Sequence, residues 1–522
     1  MAAGLSRARP NILLIMVDQL AAGWLPAYGH EIVHAPNLSA LAREGLTFDA
    51  AYCPSPLCAP SRSGMLTGRL PSRVGVFDNA AELPASVPTV AHHLRASGYH
   101  TSLVGKMHFV GPDQLHGFEE RLTPDIYPAG LDWTPDWRLP LTERLPWYHN
   151  MQSVLTPGVC EASLQTDYDE EVAFRAVRQV FDLARDQREQ PFLLIASFSH
   201  PHDPWEIGRR YWDLYDPAKI PLPTVPSLPW ATADPYSRRL RQMCGAEEVP
   251  LAEAQIRTAR HAYYAAISYA DERIGQVLAA VNDAGLASNT IVIFTADHGE
   301  MLGERGLWYK MAFFEPSARV PLIIRVPGAV AGQRVATPVS LLDLVPTLLE
   351  LAVAGDGDAV DLDGHSLLPE LALQRHARPS PVVAEYLAEG VTAPAVMVRQ
   401  GRYKLVSCDG DPDQLYDLVS DPFELENLAV SLDHEHIHRT LRAEVTRRWD
   451  LTELHEEVLT SQRQRRLISR ALNRGAHASW DFQPQMDATM RYVRSRADLY
   501  EVQRRARLDS PPQPGRGSGR ER

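Results

Sequence analysis

The chain has 522 residues, 45% of them hydrophobic, enough to bury a large core and too many for one ordinary domain. A net charge of −13 excludes a dedicated nucleic-acid binder, whose phosphate contacts need a surplus of Lys and Arg. Five scattered cysteines with no Cys-x-x-Cys pair exclude a disulfide framework or a zinc site and fit a reducing cytoplasm, and no apolar stretch approaches the length of a membrane span.

After Arg7 and Arg9, the apolar run from Ile12 to Val17 is too short for a signal-peptide core. Residues 11–19 read instead as a buried parallel strand that delivers Asp18 at its C-terminal end, the edge where open α/β sheets place ligands. The pattern recurs at 191–198, followed by His200-Pro201-His202-Asp203-Pro204, and at 290–296, followed by Asp297-His298-Gly299. Between these strands, 87–97, 168–188 and 253–284 have apolar residues at helical spacing. The Pro-, Trp- and Asp-rich segments 127–157 and 203–247 read as long ordered loops of the kind used for binding.

A helix is expected at 341–351, then a Gly- and Asp-rich connector at 355–364, then short strands at 382–386, 395–398 and 403–406 divided by Gly and Asp turns. From 451 the chain turns Arg-rich and helical, and 510–522 is a Pro, Gly, Ser and Arg tail expected to be disordered. The fold expected is α/β: a large doubly wound mixed sheet sandwiched by helices over 1–375, then a smaller α+β domain with an antiparallel sheet over 376–450, and a helical extension over 451–509. A helix N-cap is the competing reading for any single strand-end acid. Together, Asp18, Asp297 and His298 supply two hard oxygen ligands and an imidazole for a divalent cation, and Gln19 an amide oxygen.

The segment Cys58-Ala59-Pro60-Ser61-Arg62-Ser63-Gly64-Met65-Leu66-Thr67-Gly68-Arg69 has a plain reading as a helix with a polar face and Gly68 as its C-cap. As a whole it resembles the maturation signature of type I, formylglycine-dependent sulfatases of the alkaline phosphatase superfamily: Cys-x-Pro-Ser-Arg followed by Leu-Thr-Gly-Arg. The resemblance implies that a formylglycine-generating or other sulfatase-maturing enzyme oxidises Cys58 to 3-oxoalanine, whose aldehyde hydrate is the nucleophile. It implies one metal held by Asp18, Gln19, Asp297, His298 and the modified Cys58. An oxygen-dominated set suggests Ca²⁺, with Mn²⁺ as the rival because His298 stands where arylsulfatases commonly carry an amide.

By motif position, Lys106 in Gly105-Lys106-Met107-His108 and Lys310 match the two lysines that flank sulfate in that family. His108 is then expected to orient the hydrate or take its proton, His202 to protonate the leaving alcohol or assist it, and Arg62 to hold the hydrate's surroundings, while His200 reads as a satisfied loop histidine. In the implied reaction one hydroxyl attacks sulfur, the alcohol leaves, and the second hydroxyl expels sulfate by C–O cleavage and regenerates the aldehyde.

Asp78-Asn79-Ala80-Ala81-Glu82, Gly111-Pro112-Asp113-Gln114-Leu115-His116-Gly117-Phe118-Glu119-Glu120-Arg121, His200-Pro201-His202-Asp203-Pro204 and Met301-Leu302-Gly303-Glu304-Arg305-Gly306-Leu307-Trp308 resemble choline-sulfatases, as does the C-terminal part with Arg474-Gly475-Ala476 and Trp480-Asp481. A quaternary ammonium donates no hydrogen bond and needs aromatic faces and carboxylates. The resemblance assigns that pocket to Trp133, His149, Asn150 and Glu385, although a loop anchor is the alternative for Trp133. The family's tail acid, given to a neighbouring subunit, has its counterpart in Asp498, displaced from the expected place, which Tyr500 takes. A homo-oligomer, a tetramer, is implied.

The expected function is hydrolysis of choline-O-sulfate. The alternatives are a phosphonate or phosphate monoester hydrolase or another alkyl or aryl sulfatase of the superfamily, and, from another class, a non-catalytic osmolyte-binding protein with Cys58 never matured.

Overall fold

The continuous apolar run Asn11–Val17 forms a strand buried at every position (β1), as a strand covered on both faces requires. In this computed structural model, which describes residues 9–140, 142–186, 190–352, 361–374, 378, 380–476, 479–485 and 498–507, further strands of the same sheet follow in chain order. They are β2 (Leu46–Phe48), β3 (His100–Gly105), β4 (Glu120–Arg121), β5 (Phe192–Ser197), β6 (Thr290–Ala296), β7 (Leu322–Arg325) and β8 (Gln333–Val335). Across the sheet they run β8-β2-β7-β6-β1-β5-β3-β4. β1 pairs in parallel with β5 and β6, with Met16 opposite Ser197 and Val17 opposite Ala296, and β3 continues the parallel set with Gly105 opposite Ser197. β7 runs antiparallel to β6, which makes the sheet mixed, as expected. β3 escaped the sequence reading because His100, Thr101 and Ser102 interrupt its apolar character, although all three are buried.

Helix α1 (Cys58–Thr67) opens at Cys58, and α2 (Leu164–Arg185) packs on β3 and β5 and along α3 (Glu253–Asp283). Ser163 caps α2 by accepting from Thr166 N, so the helix begins at Leu164, four residues before the expected start. The helix expected at 87–97 shortens to Val90–Ala96, because Pro88 is followed by the capping Thr89.

A second, antiparallel sheet holds β9 (Val382–Tyr386), β10 (Ala395–Gln400), β11 (Tyr403–Cys408) and β12 (Gln414–Asp417), each paired with the next. Helix α4 (Glu435–Arg448) packs on β10 and β11. Asp450 then caps α5 (Leu451–Leu472) through Thr452 N and Glu453 N, and α6 (Leu499–Ala506) follows. The expected tail at 510–522 lies outside the described residues, as do part of the 355–364 connector and residue 376, where the second unit was expected to begin.

Candidate active site

Strand register builds the site. Because β1, β3, β5 and β6 are parallel and in step, their C-terminal ends bring Asp18, Lys106, the His200–Pro204 loop and Asp297 to one edge. The turn into Lys106 needs glycine: Gly105 sits at φ 97°, and a Cβ there would lie 1.9 Å from Ser197 O.

Cys58 occupies the first turn of the wholly buried α1, with its Sγ 3.2 Å from His298 Nε2 and 3.8 Å from Asp18 Oδ1. One turn along the same face, Arg62 donates to Asp297 Oδ2 at 2.7 Å, Lys106 O at 2.6 Å and Ser197 Oγ at 2.9 Å, and so ties three strand ends to the cysteine helix. Lys106 Nζ bonds Asp18 Oδ2.

One ligand atom from each of Asp18, Cys58, Asp297 and His298 falls within 4.8 Å of the others. Two buried carboxylates and an imidazole nitrogen turned toward Cys58 fit a hard or borderline divalent cation. Gln19 donates its backbone N–H to Asp297 Oδ1 at 3.1 Å, while its amide oxygen accepts from Lys310 at 2.6 Å and its amide nitrogen donates to Glu300 Oε2 at 2.6 Å. A second triad, His149, His202 and Asp203, also converges, but the Lys310 ammonium lies 2.8 Å from His202 Nε2 and claims the lone pair a metal would use.

Charge is concentrated here. Burial and Cys58 both push the Asp18 carboxyl up, and Lys106, His202 and Arg62 outweigh them, leaving it well below the usual carboxylate range. Burial likewise opposes ionisation of Cys58, yet Lys106, Lys310 and His298 hold its thiol well below the usual value. Burial pulls Lys310 down, and Cys58 and Asp18 more than restore it, so its ammonium stays charged.

Beside Lys310 an aromatic wall begins. Tyr127 places its hydroxyl 3.2 Å from His202 Nδ1, while its ring lies 4.1 Å from Lys106 Nζ and 5.4 Å from the Trp133 ring. Trp133 stacks near-parallel to Trp147 at 6.4 Å and meets His108 edge-on at 6.0 Å. His108 is buried and held through its backbone N–H by Asp125; its ring helps lower the Cys58 thiol, and among the described residues neither ring nitrogen lies at ordinary hydrogen-bond distance from a partner. His149 lies 4.8 Å from the Tyr309 ring, and burial together with Lys310 lowers it to about 3, so its imidazole is uncharged at neutral pH. His200 is anchored elsewhere, its Nδ1 2.7 Å from Asp169.

Three expected pocket residues are otherwise engaged. Glu385 is fully buried and accepts from Ser72 N at 2.9 Å, Ser72 Oγ at 2.6 Å and Trp449 Nε1 at 2.5 Å, which leaves its carboxylate committed to joining β9 to other parts of the chain. Asn150 is exposed; its side chain accepts from Gln152 N at 2.8 Å and its backbone carbonyl from Tyr309. Asp498 is exposed and caps α6 by accepting from Glu501 N at 3.0 Å.

The residue that sequence reasoning passed over is Glu389. It is 1% exposed, its Oε2 has no hydrogen-bond partner among the described residues, and it lies within electrostatic reach of Asp78, Lys310 and Cys58. With Tyr148, Asp136 and Trp137 it lines a small cleft. Burial, reinforced by Asp78, pushes its carboxyl up to about 7. An acid inside the apolar run Leu387-Ala388-Glu389-Gly390-Val391 was the signal available for it.

Comparison with known proteins identifies the family. The Sulfatase family model matches residues 10–354, a model described as Choline sulfatase enzyme C terminal matches 456–508, and one described as N-sulphoglucosamine sulphohydrolase, C-terminal, matches 303–450. The chain is 46% identical over 503 residues to a choline-sulfatase of Rhizobium meliloti, covering 95% of this chain and 98% of that one. It is 29% identical to an arylsulfatase of Clostridium perfringens, over 82% and 92% of the two chains. Among solved structures, a phosphonate monoester hydrolase of Agrobacterium radiobacter shares the fold with a TM-score of 0.67 and 24% identity, over 86% of this chain and 96% of that one. A phosphonate monoester hydrolase from Silicibacter pomeroyi gives a TM-score of 0.67 at 25% identity, over 84% and 95% of the two chains.

Proposed function

The chain belongs to the sulfatase family of sulfuric ester hydrolases, and from that membership we propose that it hydrolyses choline-O-sulfate to choline and sulfate. One arrangement carries the substrate: the Trp133, Tyr127 and Trp147 wall adjoins the Lys310–His202 pair, and the buried carboxyl of Glu389 lies within electrostatic reach of Lys310. A quaternary ammonium is recognised by such faces and by carboxylate charge, whereas a phosphonate or neutral aryl ester has no use for either. The 46% identity to a choline-sulfatase supports the same reading.

Asp18, Asp297 and His298, with the oxidised side chain of Cys58, would hold the divalent cation, which we assign as Ca²⁺ with Mn²⁺ as the rival. When bound, the cation supplies Lewis acidity that offsets charge on the nucleophilic oxygen and the transferring group. When Cys58 has been oxidised by a maturing enzyme, its aldehyde hydrate offers one hydroxyl to attack and a second to release sulfate. Lys106 and Lys310 bind the sulfate oxygens and aim their charge where it builds up. Arg62 holds Asp297 and the Lys106 turn in place. The Lys310 ammonium, hydrogen-bonded to His202 Nε2, gives a proton to the leaving alcohol with His202 assisting it, and the His108 ring takes one from the Cys58-derived group. Trp133 and Tyr127 face the trimethylammonium, uncharged His149 adds a face without repelling it, and Glu389 supplies the counter-charge we assign in place of Glu385.

Five free thiols suit a reducing cytoplasm, and among the described residues no helix is long and apolar enough to cross a membrane. A homotetramer in which Asp498 of one copy reaches another remains part of this proposal.

Turnover of choline sulfate, its uncharged isostere 3,3-dimethylbutyl sulfate, an aryl sulfate and a phosphonate monoester tests the reading. Preference for choline sulfate is expected, together with its loss in Trp133→Ala; equal turnover of the charged and uncharged alkyl esters would reject the ammonium pocket.

A further inference from the structure

We propose that Arg465, on the C-terminal helix α5, is a positioning residue that fixes Trp133 relative to Cys58, so that α5 sets which sulfate ester the centre accepts. The inference deepens the choline-sulfate reading and rests on it. Residues 129–137, which carry Trp133, form neither helix nor strand; within the segment Thr134 N and Oγ1 donate to Leu131 O at 3.2 and 2.7 Å, and outside α5 it is held at its ends, where Ala129 O accepts from Gly111 N at 2.9 Å and Trp137 Nε1 donates to Ala388 O at 2.7 Å. Such a segment takes its shape from what packs on it.

Helix α5 grips this segment on both sides of Trp133. Ser469 Oγ and Asn473 Nδ2 donate to Asp132 Oδ1 at 2.6 and 2.8 Å, Arg466 pairs with Asp136 at 3.0 Å, and Gln462 Oε1 accepts from Trp137 N at 2.9 Å. Arg465 differs from Arg466, Gln462 and Asn473 because it also reaches the buried Asp78. Its NH1 and NH2 donate to Asp78 Oδ1 and Oδ2 at 2.6 and 2.7 Å, and NH1 lies 3.3 Å from Thr134 Oγ1, next to Trp133. Asp78 is fully buried, and the residue after it, Asn79, accepts from Ala59 N at 3.0 Å, next to Cys58.

One guanidinium therefore joins the Trp133 segment to the strand of chain that holds the first turn of the cysteine helix. A two-pronged Arg–carboxylate pair fixes direction as well as distance, which a single-point contact does not. A displacement of about 1 Å between an ammonium face and a reacting sulfur is enough to cost catalysis.

The test uses the full-length, matured enzyme with choline sulfate, 3,3-dimethylbutyl sulfate and an aryl sulfate. Arg465→Met is expected to lower kcat/KM for choline sulfate by about ten-fold or more, chiefly through KM, and to lower it less for the two uncharged-tail esters. In a Trp133→Ala background, Arg465→Met should reduce the choline-to-isostere ratio no further, because both changes act through one contact. Equal losses on all three esters, or a full additional loss of the ratio in the double variant, would overturn the proposal and leave Arg465 a fold-stabilising residue. Should Arg465→Met fail to fold, Thr134→Val, which removes the hydroxyl next to Arg465, decides: a lowered ratio supports the proposal and an unchanged ratio overturns it. A Trp133→Ala ratio equal to that of the native enzyme overturns the choline reading and the proposal with it, whereas a loss in Trp133→Ala without one in Arg465→Met overturns the proposal alone.

Discussion

Lys310 Nζ lies 2.8 Å from His202 Nε2, while His202 Nδ1 lies 2.6 Å from the carbonyl oxygen of Asp203. A carbonyl only accepts, so Nδ1 carries the ring proton and Nε2 offers its lone pair to the ammonium. The pair shares a proton along a preformed bond, with Gln19 Oε1 holding Lys310 from the other side at 2.6 Å. That arrangement suits protonation of a poor leaving group. His202→Gln is expected to lower kcat on choline sulfate by about 10²- to 10⁴-fold, the usual worth of a general acid. An aryl sulfate, whose phenolate leaves without help, should lose much less; comparing kcat across a series of leaving groups checks this, and a uniform loss would reject the proton-transfer role.

Glu389 gives the pocket a pH signature. Burial raises its carboxyl from the ordinary glutamate value to about 7, so it is largely protonated below that pH and ionised above it. An ammonium needs the ionised form. KM for choline sulfate is therefore expected to rise as pH falls through about 7, while KM for the uncharged isostere stays flat. Glu389→Gln should raise KM for choline sulfate at pH 8 and remove this limb of its pH profile. The stability sign runs the other way: a carboxyl with a raised folded-state value favours the fold while neutral, and that contribution is lost as pH rises through about 7. Thermal melts of the substrate-free enzyme should accordingly show Glu389→Gln gaining on the native protein above pH 7.

Glu385, four residues earlier, should behave as a structural acid. Its oxygens accept from Ser72 and Trp449, so Glu385→Gln turns one acceptor into a donor facing an N–H or O–H and is expected to cost about 1–3 kcal/mol with little change in ester preference. Tm and the choline-to-isostere ratio measured on the same preparation separate the two carboxylates. The contrast also marks what the sequence makes legible. Strands that end in Asp18, Asp297 and the His202 loop announce themselves by apolar runs with polar termini, and parallel register does the rest. Which of two nearby glutamates keeps an oxygen without a partner among the described residues depends instead on how β9 leaves its sheet, a long-range matter that local pattern does not encode. Tyr127 and Trp147 were hidden for the same reason: they sit in a loop whose path is set by contacts with distant chain, including α5.

The cation should be detectable without turnover. Asp18, Asp297 and His298 converge beside Cys58 with both carboxylates buried, so a divalent ion that binds them raises Tm by an amount that grows with the logarithm of its excess over Kd. Melts in Ca²⁺, Mn²⁺ and chelator should rank the metals, and Asp297→Asn should erase the increment. An increment that survives in Asp297→Asn would move the metal away from this cluster.

Cys58 itself makes the sharpest demand. Its Sγ faces His298 Nε2 at 3.2 Å, and Lys106 and Lys310 hold the thiol well below its usual value, so the unmodified residue is a thiolate in a cationic pocket. A thiolate or an alkoxide at this position displaces the alcohol once and then holds the sulfuryl group, because neither carries a second hydroxyl to expel it. Cys58→Ser is therefore expected to lose steady turnover altogether while keeping fold and melting temperature, since serine is smaller and the site is already polar. Expressed without a maturing enzyme, the native chain should be equally inactive; expressed with one, its intact mass should fall by the difference between CH₂SH and CHO. Multiple turnovers by Cys58→Ser, or by a preparation whose mass shows the thiol intact, would remove the aldehyde from the mechanism and leave the cationic pocket acting on a different nucleophile.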